Sequence, residues 1–157
     1  MFVRYYHEMV GVNSRLDSLQ AAILDVKLKH LDDYAAARKR AAACYDEAFR
    51  SCPELEIPHT APFSEHVYHQ YTLRLKQGNR DKLIAYMNEQ QIPVMIYYPV
   101  PLHEQKAYQD PRYHKGDFPV SEQLCSEVFS LPMHTELDKE QLAYICDHLK
   151  KAVALCQ

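Results

Sequence analysis

The sequence contains very little glycine. Only Gly11, Gly78 and Gly116 occur among 157 residues, whereas loops that cradle a phosphate usually bring several glycines close together. No apolar run approaches the roughly 18 to 20 residues that span a bilayer. The first residues also lack the continuous apolar segment and small-residue cleavage site of a signal peptide. We therefore expect a cytoplasmic protein with no membrane contact and no self-contained nucleotide loop.

Basic clusters and paired cysteine motifs are absent as well. The 18 basic and 21 acidic residues are spread along the chain and give a formal charge of −3, which argues against nucleic acid as a partner. The five cysteines include no CxxC pair and fit neither a disulfide framework nor a zinc knuckle. His59, His66 and His69 form a loose group, but no cysteine or regular carboxylate accompanies them, so we predict no metal site.

The first third of the chain has the pattern of a long helix. No glycine or proline occurs from Asn13 or Ser14 to Phe49. Apolar residues recur at helical spacing: Leu16, Leu19, Ile23, Val26, Leu31 and Tyr34. We expect a helix about 50 Å long if it is continuous, with a break near Asp32 and Asp33.

Proline residues then mark the start of a second packing unit. Pro53, Pro58 and Pro62 punctuate a stretch without helical periodicity. Beyond it, alternation and apolar spacing predict strands and helices in turn: a strand at 67–75, a helix at 80–91, a strand from 93 that ends at Pro99, a loop at 101–118, a short helix and strand at 121–131, and a helix that follows the N-cap candidate Asp138. This order favours an α/β fold, with a small α+β layer structure.

Three segments together resemble one known family. They are GVNSRLDSLQAAIL (11–24), YYPVPLHEQKAY (97–108) and FPVSEQLCSEVFSLPMH (118–134). In this order and spacing they resemble the DegT/DnrJ/EryC1/StrS sugar aminotransferases, which are pyridoxal 5'-phosphate (PLP) enzymes of the aspartate-aminotransferase fold (fold type I). The resemblance implies that residues 1–50 are the residual end of a large domain plus a long inter-domain and interface helix. Residues 51–157 are then the C-terminal small α/β domain.

The first segment offers groups that bind anions. An asparagine ahead of a helix can cap it or donate its amide to an oxyanion, and the guanidinium of Arg15 suits phosphate or carboxylate. An ordinary helix cap beside a surface arginine is the alternative. In the resembled family the asparagine, here Asn13, reaches across a homodimer interface to the PLP phosphate of the partner subunit, and Arg15 lies near the anionic part of the substrate.

The second segment places aromatic and imidazole groups on a rigid, proline-bounded loop. Tyr97, Tyr98 and His103 are candidates to bind a sugar or its diphosphate. Alternatively, Tyr98 and Leu102 pack beneath the loop. The family commonly has histidine where this chain has Tyr97, so the residue bears on which sugar is handled.

The resemblance also indicates what the chain does not supply. Catalysis with PLP needs a lysine that forms a Schiff base and an aspartate that pairs with the pyridine nitrogen, and in the family both precede the GxNxR motif. The twelve residues before Asn13 contain neither, and the first lysine is Lys27. No catalytic residue is therefore assigned, and we expect the chain alone to be inactive.

The complete enzyme implied by the resemblance transfers an amino group, usually from glutamate, to a keto group of a nucleotide-linked sugar. Its product would enter surface-polysaccharide or glycan synthesis. Two alternatives remain: a non-catalytic α/β module that binds a small ligand or a protein without PLP, and an enzyme that uses Cys125 or Cys146 as its nucleophile.

Overall fold

The structure, a computed structural model, describes residues 4–156 of the chain. It has five α-helices, a small sheet and two 3-10 turns within the described residues. The helices are α1 (Ser18–Leu28), α2 (Leu31–Phe49), α3 (Arg80–Glu89), α4 (Pro119–Glu127) and α5 (Lys139–Leu155). The strands are β1 (Leu55–Glu56), β2 (Tyr71–Leu75) and β3 (Val128–Leu131), and the 3-10 turns are Leu102–Glu104 and Lys106–Tyr108.

The long helix begins later than the sequence predicted. Asp17, not Asn13 or Ser14, is the N-cap of α1: its carboxylate accepts the Gln20 amide, and the Gln20 side chain accepts the Asp17 amide in return. Such a capping box satisfies two donors that the first turn leaves free, so it fixes the start of the helix. The expected break lies at residues 29–30, just before Asp32 and Asp33.

The sheet is antiparallel, with strand order β1-β2-β3. In register, Tyr71 lies opposite Leu131, and Leu55 opposite Leu75. The short strand β1 was not expected in the proline-punctuated stretch. The prediction of a strand at 93–99 is wrong: only Met95 pairs there, in an isolated bridge to Ser130. Pro93 and Pro99 cannot donate to a ladder, so any pairing here is confined to residues 94–98.

The core lies between the sheet and helices α2, α3 and α5. Its largest fully buried side chains are Tyr45, Tyr71, Phe49, Phe129, Leu73, Leu83, Met87 and Leu149. Two core tyrosines also satisfy their hydroxyls: Tyr45 donates to the Pro132 carbonyl at 2.9 Å and Tyr71 to the Asp46 carboxylate at 2.6 Å. The second half of α2 thus packs into the same core as the segments after residue 51.

Helix α1 has no buried residue. Its apolar side chains, among them Leu19, Ile23 and Val26, are more than half exposed. They form an apolar face that has no partner within residues 4–156. None of the helices within residues 4–156 combines the length and the hydrophobicity needed to span a membrane.

Candidate functional site

A groove of about 880 Å³ brings together three of the five residues singled out from the sequence. Asn13, Tyr98 and His103 all line it, and so do Tyr5 and Gln105. Its walls come from three parts of the chain: the segment ahead of α1, the proline-bounded loop with its 3-10 turns, and α4. The groove is thus formed by the three segments that carry the sequence motifs and by the residues just before the first of them.

Asn13 and Arg15 form a pair of exposed donors. The Arg15 Nε donates to the Asn13 Oδ1 at 3.0 Å. This bond orients the Asn13 amide, and its Nδ2 donor has no partner among residues 4–156. Asp17 caps α1, so the interpretation of Asn13 as an ordinary helix cap is wrong. Arg15 does not line the groove itself and reaches it through Asn13.

Tyr97 and Tyr98 pack with a third tyrosine that the sequence did not single out. The Tyr5 ring contacts both edge-on, with centroids 6.0 Å from Tyr97 and 5.4 Å from Tyr98. Tyr98 is 59% exposed, so it does not pack beneath the loop. Tyr97 faces a smaller neighbouring pocket of about 260 Å³ that His69 also lines. The Tyr5 hydroxyl is buried and has no hydrogen-bond partner within the described residues.

His103 is held by a carboxylate from α4. Its Nε2 lies 3.0 Å from the Glu122 Oε1, and its ring contacts Phe118 at a centroid distance of 4.8 Å. The side chain is only 9% exposed. Glu122 also accepts the Gly116 amide at 2.7 Å. The Gly116 N–H, together with His103, holds the pKa of the Glu122 carboxyl below its usual value.

Gln105 is the buried polar residue of the groove. It is 6% exposed, and its side chain bonds to the main chain of Tyr5 and His7. Gln105 and Glu122 both lie within the motif segments (97–108 and 118–134), but no spacing rule in the sequence predicts their contacts with Tyr5, His7 or His103. Tyr5 and His7 lie outside the three motif segments, and their partner Gln105 is about a hundred residues away along the chain.

Possible metal ligands come together at a place that the sequence did not indicate. His103, Glu104 and Glu122 bring one ligand atom each within 4.8 Å of one another. The His103 Nε2 and the Glu122 carboxylate already bond to each other, so the group is explained as an internal hydrogen bond. In contrast, the His66 Nδ1 accepts the Tyr68 amide, and His69 lies beside Tyr97. The absence of a metal site stays a prediction.

The two candidate cysteine nucleophiles have unreactive surroundings. Burial raises the pKa of the Cys125 thiol, and Glu104 raises it further. For Cys146, burial and the neighbouring Cys44 raise the pKa to about 12. Since the thiolate is the nucleophile, this environment argues against a cysteine mechanism, although Cys125 lines the groove.

The donors around Asn13 fit the phosphate of the cofactor that the sequence resemblance implies. An amide nitrogen with no other partner in the described residues and an adjacent guanidinium are both suited to a dianion. Lys27 lies on α1 and does not line the groove. The described residues therefore fit the anionic end of PLP, and the groove presents no lysine to its carbonyl.

Comparison with known proteins gives a consistent result over nearly the whole chain. The model of the DegT/DnrJ/EryC1/StrS aminotransferase family matches residues 1–150. A pleiotropic regulatory protein of Geobacillus stearothermophilus is 41% identical over 148 residues, which are 93% of this chain and 39% of that protein. The UDP-2-acetamido-2-deoxy-3-oxo-D-glucuronate aminotransferase of Pseudomonas aeruginosa is 40% identical over 147 residues, which are 91% of this chain and 38% of that enzyme.

A solved structure agrees in fold as well as in sequence. The crystal structure of DesV from S. venezuelae superposes with a TM-score of 0.82 and 34% identity, over 96% of this chain and 40% of that chain. The chain therefore spans about 40% of the length of the proteins that it matches.

Proposed function

Because this chain belongs to the DegT/DnrJ/EryC1/StrS aminotransferase family, we propose that it is the C-terminal portion of an enzyme acting on nucleotide-linked sugars. The reaction is transfer of an amino group, with glutamate as the donor, to a keto group of the sugar, within surface-polysaccharide or glycan synthesis. The observation that supports this proposal is the groove that unites Asn13 with Tyr98 and His103, which lie on a loop about 85 residues further along the chain.

The role of Asn13 and Arg15 is to hold anions. The Asn13 amide donates to the phosphate of PLP, and Arg15 both orients that amide through its 3.0 Å bond to Oδ1 and attracts the anionic part of the substrate. PLP, when bound, supplies the electron sink for moving the amino group. Both side chains are exposed, which agrees with a contact made to the partner subunit.

The role of Tyr98 and His103 is to hold the nucleotide-linked sugar. Tyr98 presents an exposed ring and hydroxyl on the loop, and the His103 ring is fixed by Glu122 and Phe118. A fixed imidazole loses little entropy when it binds a diphosphate or a sugar hydroxyl. Tyr97, at the position where the family commonly has histidine, faces the neighbouring pocket and contacts the Tyr98 ring edge-on.

The remaining parts of the active site come from elsewhere. Lys27, the first lysine of the sequence, lies outside the groove, so we propose that the 157-residue chain alone does not transaminate. We also propose a homodimer in which the apolar face of α1 is covered by a second copy. The exposure of that face supports burial against another surface.

The test is binding of UDP-N-acetylglucosamine to the purified chain, measured by calorimetry. We expect binding that weakens by about tenfold in Tyr98→Phe and in His103→Ala, as loss of one hydrogen bond to a charged or polar ligand predicts. Tyr144→Phe is the matched control, because Tyr144 is an exposed tyrosine in a different pocket. Equal affinity in all three variants would refute the groove as the substrate site.

A second measurement separates the enzyme fragment from a non-catalytic module. Titration with PLP, borohydride reduction and peptide mapping asks whether one lysine is modified specifically. Scattered or absent labelling supports the proposal that the lysine lies outside this chain. A single stoichiometric adduct would contradict that proposal.

A further inference from the structure

The buried side-chain amide of Gln105 forms two hydrogen bonds with the main chain of a segment about a hundred residues away. Its Nε2 donates to the Tyr5 carbonyl at 2.7 Å, and its Oε1 accepts the His7 amide at 2.9 Å. The side chain is 6% exposed. A buried amide that lacked these partners would be costly, so the segment and the residue hold each other in one arrangement.

Two more contacts reinforce this arrangement. The Ala107 amide donates to the His7 carbonyl at 2.9 Å, and the Lys106 Nζ lies 3.2 Å from the Glu8 carboxylate. The latter pair is exposed and contributes little. We call the bonds of Gln105 and Ala107 to Tyr5 and His7 the Gln105 clasp.

The clasp determines where one wall of the groove stands. Tyr5 is bonded through its carbonyl to Gln105, while its ring contacts the rings of Tyr97 and Tyr98. The chain runs on from the clasp to Asn13, which lines the same groove. Because the clasp links the loop of Tyr98 and His103 to the segment of Tyr5 and Asn13, it sets the distance between the two sides.

We infer that Gln105 is a positioning residue, which fixes the Tyr5 segment against the loop so that the groove accepts a nucleotide-linked sugar. This inference rests on the proposed function of the groove. Gln105 does not need to touch the ligand, since its own donor and acceptor are engaged by main-chain groups. A buried glutamine with a purely structural role would affect global stability, whereas a positioning residue affects the groove locally.

Two variants of Gln105 test the inference, one that removes both hydrogen bonds and one that removes only the donated bond. Gln105→Leu removes both bonds while keeping a similar volume. Gln105→Glu keeps an acceptor for the His7 amide and, when ionised, loses the donor to the Tyr5 carbonyl. Gln109→Leu is the matched control, because it removes an exposed glutamine from the same loop without breaking a bond of the clasp.

The first readout is local and needs no ligand. Hydrogen exchange of the His7 and Ala107 amides should quicken by about tenfold or more in Gln105→Leu, while exchange of the core strand amide of Leu73 stays as in wild type. By NMR, the ring-current shifts between Tyr5 and Tyr98 should be lost, and those of the core pair Tyr45 and Tyr71, whose centroids are 4.9 Å apart, should be retained. Unchanged exchange at His7 would overturn the clasp.

The second readout is affinity for UDP-N-acetylglucosamine. We expect binding about tenfold weaker in both Gln105 variants, and unchanged in Gln109→Leu. Wild-type affinity in Gln105→Leu, despite faster exchange at His7, would overturn the positioning role. If the wild-type chain does not bind the sugar nucleotide, the proposed function fails, and the exchange data still decide whether the clasp exists. Should Gln105→Leu fail to fold, Gln105→Glu supplies the same comparison.

Discussion

The His103 Nε2, on the groove loop, lies 3.0 Å from the Glu122 Oε1, on helix α4, and the two form a hydrogen bond. The same carboxylate oxygen accepts the Gly116 amide, so one side chain in the first turn of α4 secures both the histidine and the loop ahead of the helix. This explains how an irregular, proline-rich segment presents His103 in a defined orientation.

Replacing Glu122 with glutamine should make stability less dependent on pH. The pKa of Glu122 is lowered in the folded state, so its stabilising effect is present above its usual value of about 4.5 and is lost as pH falls through the lower folded value. The urea concentration at the unfolding midpoint should therefore be higher for wild type than for Glu122→Gln at pH 7. The difference between the two midpoints should shrink as the pH falls towards 3.

Glu140→Gln is the control for that measurement. Glu140 occupies the first turn of α5, so the substitution removes the same favourable interaction with a helix N-terminus but no bond to a histidine or glycine. A midpoint difference for Glu122→Gln that matches the control at every pH would contradict the role of the His103 and Gly116 contacts.

Local sequence rules predicted the parts of the fold that depend on neighbouring residues. Asp138 caps α5 as expected, because the capping signal lies within four residues. Asn13 did not cap α1, since Asp17 with Gln20 forms the better capping box four residues later. The strand predicted at 93–99 has apolar character, but only Met95 pairs with a neighbouring strand.

Long-range contacts of the site were beyond those rules. The pattern placed Tyr98 and His103 on one loop, but nothing local to Gln105 indicates a bond to Tyr5, which is a hundred residues away. Such contacts depend on how the whole chain packs. The roles of Asn13, Arg15, Tyr97, Tyr98 and His103 in binding stay predictions, and the Tyr98→Phe and His103→Ala variants test two of them.

Tyr71→Phe should reduce the free energy of unfolding by about 1 to 2 kcal/mol. The phenol is fully buried and donates to Asp46 at 2.6 Å, and burial together with this bond keeps its pKa far above the ordinary value. Chemical denaturation measures the loss. Tyr6→Phe, which alters an exposed tyrosine, should change nothing, and equal stability of the two variants would contradict the prediction.

Gly78→Ala should destabilise the protein by more than the backbone strain alone. Gly78 has φ +106°, and an added Cβ would lie 2.7 Å from the Cys156 carbonyl oxygen. Gly116→Ala shares the positive φ, at +99°, but its Cβ would meet open space. Strain of about 1 to 2 kcal/mol applies to both positions. The melting temperature should therefore fall further in Gly78→Ala than in Gly116→Ala. Equal decreases would show that the structure around Gly78 relaxes to remove the clash.

Cys146 should resist alkylation in the folded protein. Burial and the neighbouring Cys44 raise the pKa of this thiol to about 12, so it stays protonated, and therefore unreactive, at pH 8. Iodoacetamide labelling followed by peptide mass spectrometry should modify Cys146 only at the rate of global unfolding. Rapid and selective modification of Cys146 would revive the cysteine-nucleophile alternative. Cys146→Ala should leave sugar-nucleotide affinity unchanged, because Cys146 does not line the groove.

The apolar face of α1 should mediate self-association of the chain. Leu19 is 73% and Ile23 53% exposed, and one helical turn apart they share a face. Introducing Leu19→Glu or Ile23→Glu places a charge where an apolar contact is expected, so sedimentation at micromolar concentration should shift from dimer to monomer. Ala21→Glu adds the same charge on the opposite side of α1 and should leave the dimer intact. A wild-type chain that sediments as a monomer would contradict the proposed homodimer, because the exposed face would then have no partner in a second copy.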